Sequence, residues 1–336
     1  MQRFSLILLV AICLVTTGCG NLTMTIGLSS GDSKLRATTV AEEAGAQGNR
    51  VAIIDVSGMI MNMHKPALLS VGENPVALLQ EQLKQAEEDA NVKAVILRIN
   101  SPGGTVTASD IMYREVTRFR ASARKPVVVL MMDVAASGGY YLACGGDYIV
   151  AHPSTITGSI GVIIQTLSLK PMLERWGVEA HAITSGKNKA AGSPLGTLTE
   201  EHRAVLKELV DDFYKRFTAV VRSARPHIPP DRFADVTDGR VFSGEDALSV
   251  GLVDQLGDLH DAFAKAKELA RVSKADMVIY HRPLQYVGSP YATAPGATPA
   301  AQATGGTGTQ INVLQLNLPE MPGQSTVGVY YLWQPG

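Results

Sequence analysis

Four short stretches of the 336-residue chain place a nucleophile, an amine or close-set backbone amides where chemistry could be done. The first is Ala135-Ala-Ser137-Gly-Gly-Tyr-Tyr141, which follows the apolar run Pro126–Met132. That run is short and rich in β-branched residues, the pattern of a buried parallel strand. A serine between a strand end and a helix start can present its hydroxyl at a sheet edge, and a glycine after it lets the backbone approach a ligand. Ser137 is then a nucleophile and the Gly138 amide an oxyanion donor. Spacing alone favours the plainer reading, a serine capping the following helix. The second stretch, Asn100-Ser-Pro-Gly103-Gly104, is a glycine turn able to aim amides at a carbonyl or oxyanion. The third is Gly158-Ser159-Ile-Gly161, and the fourth is Ser185-Gly-Lys187-Asn-Lys189-Ala-Ala-Gly-Ser-Pro194. Each alone is a weak signal, because turns are full of Gly, Ser and Lys.

The elements that must hold these stretches alternate in type. Val51–Val56, Val92–Ile99, the Pro126 run, Tyr148–Ala151, Gly161–Gln165, Val178–Thr184 and Met277–Tyr280 read as strands. Pro75–Asn91, Ala108–Ala121, Lys170–Trp176, Thr199–Arg225 and Leu259–Val272 read as helices. Strand–helix alternation predicts an α/β layered domain with a largely parallel sheet.

Hydrophobic residues make up 46% of the chain, charged residues 18%, and the formal net charge is −1. Without a dense basic block, a nucleic-acid surface is not expected. The three cysteines, Cys13, Cys19 and Cys144, do not form a disulfide framework, and the seven histidines lack metal-binding spacing, so no metal is expected.

In this order, the four stretches resemble the bacterial signal peptide peptidase A family, serine–lysine peptidases built on the Clp-protease/crotonase fold. The resemblance runs from about Val51 to Val272 and includes Gly239-Arg-Val-Phe-Ser-Gly244 and Gly251-Leu-Val-Asp-Gln-Leu-Gly257. It implies Ser137 as nucleophile, Lys189 as general base and Ser159 as the residue orienting that lysine. It places Gly138, Gly103 and Gly104 in the oxyanion and substrate-strand region. Lys187 is the competing lysine and reads as a solvated one. The family often has Asp after the base lysine; here Ala190 follows.

The implied chemistry is self-consistent. A serine hydroxyl needs a base to attack, and an ordinary lysine, with a pKa of about 10.4, is protonated at neutral pH. Burial disfavours the ammonium form, and so can make a lysine such a base. His152 is the one candidate for a conventional triad, and the family has no catalytic histidine there. No cofactor is called for. The chain has the length of the single-repeat members, so the resemblance further implies a closed homo-oligomeric ring in which Lys189 of one subunit serves Ser137 of the next. Peptide substrates, including remnant signal peptides, follow from the same resemblance. The alternatives are a crotonase-type acyl-CoA enzyme, which needs an acidic base and no secretory signal, and an inactive membrane scaffold.

At the N-terminus, Phe4–Val15 is apolar, preceded by Arg3 and followed by Thr16-Thr-Gly-Cys19. This reads as a secretory signal whose end resembles a bacterial lipobox, making Cys19 the lipidation candidate. An ordinary cleaved signal or an uncleaved anchor are the other readings. The address is the bacterial cell envelope, membrane-anchored, with the catalytic domain outside the cytoplasm. Residues 20–48 read as a tether, 49–287 as the peptidase domain, 288–310 as a disordered linker and 311–336 as an apolar tail. Val327–Trp333 is β-prone and could dock on a subunit edge or enter a cleft as an inhibitor.

Overall fold

The three strongest apolar runs divide their side chains between two faces with a period of two. Val51, Ile53, Ala94, Ile96, Val128 and Leu130 share one core, and their neighbours Ala52, Ile54, Val95, Leu97, Val127 and Val129 share the other. A sheet buried on both faces needs helices on both, which the computed structural model supplies. It describes residues 34–63, 73–283, 285–292 and 329–333. In chain order the elements are β1 (Arg36–Ala41), β2 (Arg50–Ser57), α1 (Pro75–Glu88), β3 (Val92–Ser101), β4 (Gly103–Thr105), α2 (Val106–Ala123), β5 (Val127–Ala136) and α3 (Gly138–Ala143). They continue with β6 (Tyr148–Ala151), β7 (Ile156–Gly158), α4 (Lys170–Arg175), α5 (Glu200–Ala224), α6 (Pro230–Val236) and β8 (Val241–Ser243). The last are α7 (Gly244–Ser249), β9 (Gln255–Leu256), α8 (Leu259–Leu269), β10 (Asp276–His281) and β11 (Tyr330–Leu332).

The main sheet runs β1-β10-β2-β3-β5-β6-β9. Every pair from β10 to β9 is parallel, and β1 joins β10 antiparallel at the edge. The face bearing Val51 and Val128 is covered by Leu259, Ala262 and Ala266 of α8. The opposite face receives α1, α2, α3 and the end of α5 through residues such as Leu79, Met112, Tyr140 and Phe217. This is the layered, mostly parallel α/β fold expected from the strand–helix alternation.

Several boundaries differ from the sequence expectation. Residues 36–41, expected in the tether, form β1, because Glu43 just beyond it is clamped to the body of the sheet. Glu43 bonds Lys267 and Lys274 and accepts the Ala275 amide. The Lys267 ammonium, against the upward push of burial, leads the contacts that hold its carboxyl down at about 2. Val178–Thr184 is not a strand: Val178 and Ile183 are exposed, and no neighbouring strand pairs with them. Gly161–Gln165 contributes only an isolated bridge from Ile163 to Tyr330. Residues 288–292, expected in the linker, belong to the folded body, and the rest of that linker up to residue 310 lies outside the described residues. The N-terminal apolar run and Cys19 also lie outside them. Among the described residues no helix is long and apolar enough to cross a membrane.

One buried ion pair fixes where the C-terminal segment leaves the body. Arg98 on β3 is 2% exposed and Asp55 on β2 is 8% exposed, with Arg98 Nε 2.5 Å from Asp55 Oδ1. The guanidinium also donates to the carbonyls of Pro290 (2.8 Å) and Ala292 (2.9 Å). Removing the carboxylate strands a buried cation. Asp55→Ala should therefore lose about 3–5 kcal/mol in urea unfolding, and adding Arg98→Met should recover much of that loss.

Candidate active site

The site is made by β5 changing partners. Its first half, Val128–Met131, pairs with β6, and its last residues, Val134–Ala136, pair with β7. On the other side, its pairing with β3 slips between Ile99 and Ser101. The Asn100 side chain fills this irregularity, accepting the Val134 amide at 3.1 Å and donating to Asp133 at 3.1 Å. Thr155 and Thr157 hydroxyls donate to the carbonyls of Met132 (2.6 Å) and Ala135 (2.7 Å). The backbone groups freed by the slip are thereby bonded, as buried groups must be.

The result is a sharp turn at Ser137, with φ +53° and ψ −113°. Positive φ is uncommon for a residue with a side chain and is concentrated at functional sites. The capping reading is not met: Ser137 precedes α3 but makes no side-chain cap bond. Its residue is 1% exposed, and its Oγ has no hydrogen-bond partner. The Ser137 amide donates to Gly158 O at 2.8 Å, which sets Ser159 beside it. Ser159 has positive φ too, +49°, and its amide bonds Arg240 O at 2.7 Å.

The glycine turn lies against the same point. A Cβ on Gly138 would stand 2.4 Å from Ser109 Oγ and 3.2 Å from Gly103 Cα, so the two backbones require glycine. Gly103, at φ +102°, spends its amide on Ser101 Oγ at 3.1 Å. The Gly103 carbonyl and the Thr105 amide both bond Ile60. Strand alternation then turns the Gly104 amide to the opposite edge, where β11 lies. Gly138 opens α3 with a first-turn amide that no side chain caps, and its backbone lies against the Gly103 turn.

Lys189 is not brought to this point within one protomer. It is exposed, its amide bonds Gly186 O at 3.1 Å, and its ammonium has no partner among the described residues. Lys187 pairs with Glu201 at 2.5 Å, in keeping with a solvated role. His152 is exposed and its ring bonds Ser154 at 2.7 Å, not Ser137. Sequence reasoning missed the part of Asn100 in holding β5, and missed the aromatic cluster in which Tyr141 meets Phe217 and Tyr331; the Tyr-Tyr pair after Ser137-Gly-Gly was the available signal.

The Peptidase family S49 profile matches residues 120–273, and the Clp protease profile matches residues 69–157. A protein of Enterococcus faecium named after signal peptide peptidase SppA is 34% identical over 238 residues, 71% of this chain and 69% of that one. The chain belongs to peptidase family S49. Protease 4 of Salmonella typhi is 39% identical over 233 residues, which are 69% of this chain but only 37% of that protein. The chloroplastic serine protease SPPA of Arabidopsis thaliana is 37% identical over 246 residues, 71% of this chain and 36% of that one. This chain therefore spans little more than a third of those two S49 relatives. The S49 match contains Ser137, Ser159 and Lys189, and the Clp match contains the Gly103–Gly104 turn and Ser137.

In an S49 site built this way, Asn100 acts through the backbone. Asn100→Ala removes the acceptor for the Val134 amide and lets Ser137 shift. Modification of Ser137 by a fluorophosphonate should slow on the order of 10²-fold, with the fold retained by circular dichroism.

Proposed function

We propose that the chain is a serine endopeptidase in which Ser137 attacks a peptide carbonyl and Lys189 of a neighbouring subunit takes the proton. The observation that carries this reading is the Ser137 hydroxyl: buried, unbonded among the described residues, at a positive-φ turn, and followed by Gly138, whose backbone lies against the Gly103 turn. Ser159 is the residue that would hold the incoming amine in line. Attack forms the Oγ–carbon bond, the amine passes the proton to the leaving nitrogen, and water then hydrolyses the ester with the same base. Among the described residues of one protomer no group bonds the Ser137 hydroxyl, so a shared site is the economical arrangement.

Exposed apolar residues on the segment carrying Lys189 support assembly. Leu167, Met172, Trp176, Val178 and Ile183 are 48–103% exposed, a grouping typical of an interaction surface. A heterologous contact that closes would give a ring. The substrates proposed are extended apolar peptides at a membrane, remnant signal peptides among them. The envelope address rests on Phe4–Val15 and on lipidation at Cys19. An acyl-CoA reading would need an acidic base, and Asp110, which accepts from Tyr141 on α3, is otherwise engaged. Burial pushes its carboxyl up, but bonds from Arg114 and Tyr141 and the Arg216 charge outweigh this and hold it below its ordinary value.

The test is complementation. Ser137→Ala and Lys189→Ala chains should each be inactive on unstructured apolar peptides, and mixing them before assembly should restore activity at junctions where serine meets lysine. Absence of recovery in well-formed mixed assemblies would refute the shared site. Lys189→Arg should also be inactive, since a guanidinium in a protein does not give up its proton; activity there would point to another base.

A further inference from the structure

The stretch that carries Lys189 is a run of short turns with no strand or helix of its own. The amides of Lys189, Ala191 and Ser193 bond Gly186 O (3.1 Å), Asn188 O (3.2 Å) and Ala190 O (3.0 Å). Such bonds fix local shape and leave the direction of the whole loop to its neighbours. On one side, Pro194 O accepts the Leu169 amide at 2.7 Å, and Lys170 Nζ donates to the Thr197 hydroxyl at 2.9 Å. On the other, the loop meets the first turn of α5. His202 Nε2 bonds Lys187 O at 2.8 Å, and Lys187 Nζ reaches Glu201 at 2.5 Å. A carbonyl only accepts, so Nε2 carries the proton and the ring is the donor. The Lys187 ammonium leads the contacts that hold the Glu201 carboxyl below its ordinary value, and Asn188 adds a bond to it.

The two ties to Lys187 are not equal. The ion pair joins side chains that are 76% and 48% exposed, where such pairs contribute little. The imidazole grips the backbone itself, close to Lys189, and it does so from a helix whose placement is fixed. Thr199 caps α5 by accepting the His202 amide at 3.2 Å. Further along, Phe217 and Val221 root the helix in the core, Tyr214 donates to Thr237 O at 2.7 Å, and Arg216 pairs with Asp110 at 3.0 Å. Roughly 22 Å of helix separate His202 from Phe217. The lysine loop therefore rides on the outer end of a rod whose inner end is buried, and His202 is the joint between rod and loop.

We propose that His202 is a positioning residue for the general base: its ring holds the backbone at Lys187 and thereby sets where the Lys189 amine stands when it meets Ser137 of a neighbouring subunit. This rests on the peptidase reading and adds to it the group that aims the lysine. A loop cut loose from α5 has more conformations to lose before the amine lines up with the hydroxyl. That loss falls on the chemical step, because the lysine takes a proton and does not hold the peptide. Glutamine can place an amide N–H close to where Nε2 stands and keep the bond to Lys187 O; leucine has a similar bulk and no donor.

The test uses full-length chains and has three readings. Hydrogen exchange at the amides of Lys189, Ala191 and Ser193 should run at least about 3-fold faster in His202→Leu and return towards the parent rate in His202→Gln. Equal exchange in all three chains would overturn the clamp, whatever the chain cleaves. On an unstructured apolar peptide, His202→Leu should lower kcat on the order of 10-fold with KM within about twofold of the parent, and His202→Gln should recover most of the rate. A raised KM with kcat intact would overturn the positioning role. The third reading places the change in one partner of a complementing mixture. His202→Leu in the Ser137→Ala chain, which supplies the lysine, should give on the order of 10-fold less activity than the same change in the Lys189→Ala chain, which supplies the serine. Equal loss in the two placements would mean a general structural role and overturn the proposal. If the unaltered mixture shows no recovery, the shared site falls, and exchange and kcat in the undivided chain still decide whether His202 holds the lysine loop.

Discussion

The structure around Ser137 depends on a single constraint: β5 must leave β6 after Met131 and take β7 from Val134 onward. A strand that changes neighbours frees backbone groups in a dry interior, where each unpaired group costs about 1–3 kcal/mol. Asn100, Thr155 and Thr157 meet those groups with side chains. Because all three are short and are themselves anchored on strands or turns, they define one position for the end of β5. Ser137 inherits that position, and the strained turn persists because its neighbours over-determine it.

The two serines illustrate the same economy. Ser137 and Ser159 both sit at positive φ, in the two chain ends joined by the bond from the Ser137 amide to Gly158 O. Gly158, at φ +80°, has Phe242 packed where a Cβ would be. The serines thus follow a pair of tightly packed strand ends instead of lying on free loops. The opposing wall is equally fixed: Gly104 has the Ile60 carbonyl 1.9 Å from where its Cβ would stand. Preorganised amides of this kind cost little reorganisation when charge develops near them, which is their value to acyl chemistry.

The strongly periodic parts were legible. Buried runs such as Val51–Val56 and Val92–Ile99 admit one reading, and α5, capped by Thr199 through the His202 amide at 3.2 Å, begins where its capping residue predicts. Ser137, Gly138 and the glycine turn were found as motifs, and the structure brings them together. Illegible were features that depend on distant partners. Residues 36–41 look like a polar tether because β1 is an edge strand, where alternation is weak and the anchor, Glu43, binds Lys267 and Lys274 more than 220 positions away. Val178–Thr184 has strand composition, but β propensity describes fit to a half-buried surface, and no such surface is present beside it in one protomer. Asn100 looked like part of a turn because its bond to Val134 crosses between strands.

The geometry also holds apart the two groups that the proposed chemistry would bring together. Ser137 is enclosed and unbonded, so a base must arrive at its hydroxyl; Lys189, exposed and unpartnered, is available to reach elsewhere. Independently, the edge of β4 at Gly103 and Gly104 is paired with β11. Under the proposed reading, assembly is what brings that amine to the hydroxyl. A shared site of this kind would restrict proteolysis to assembled molecules.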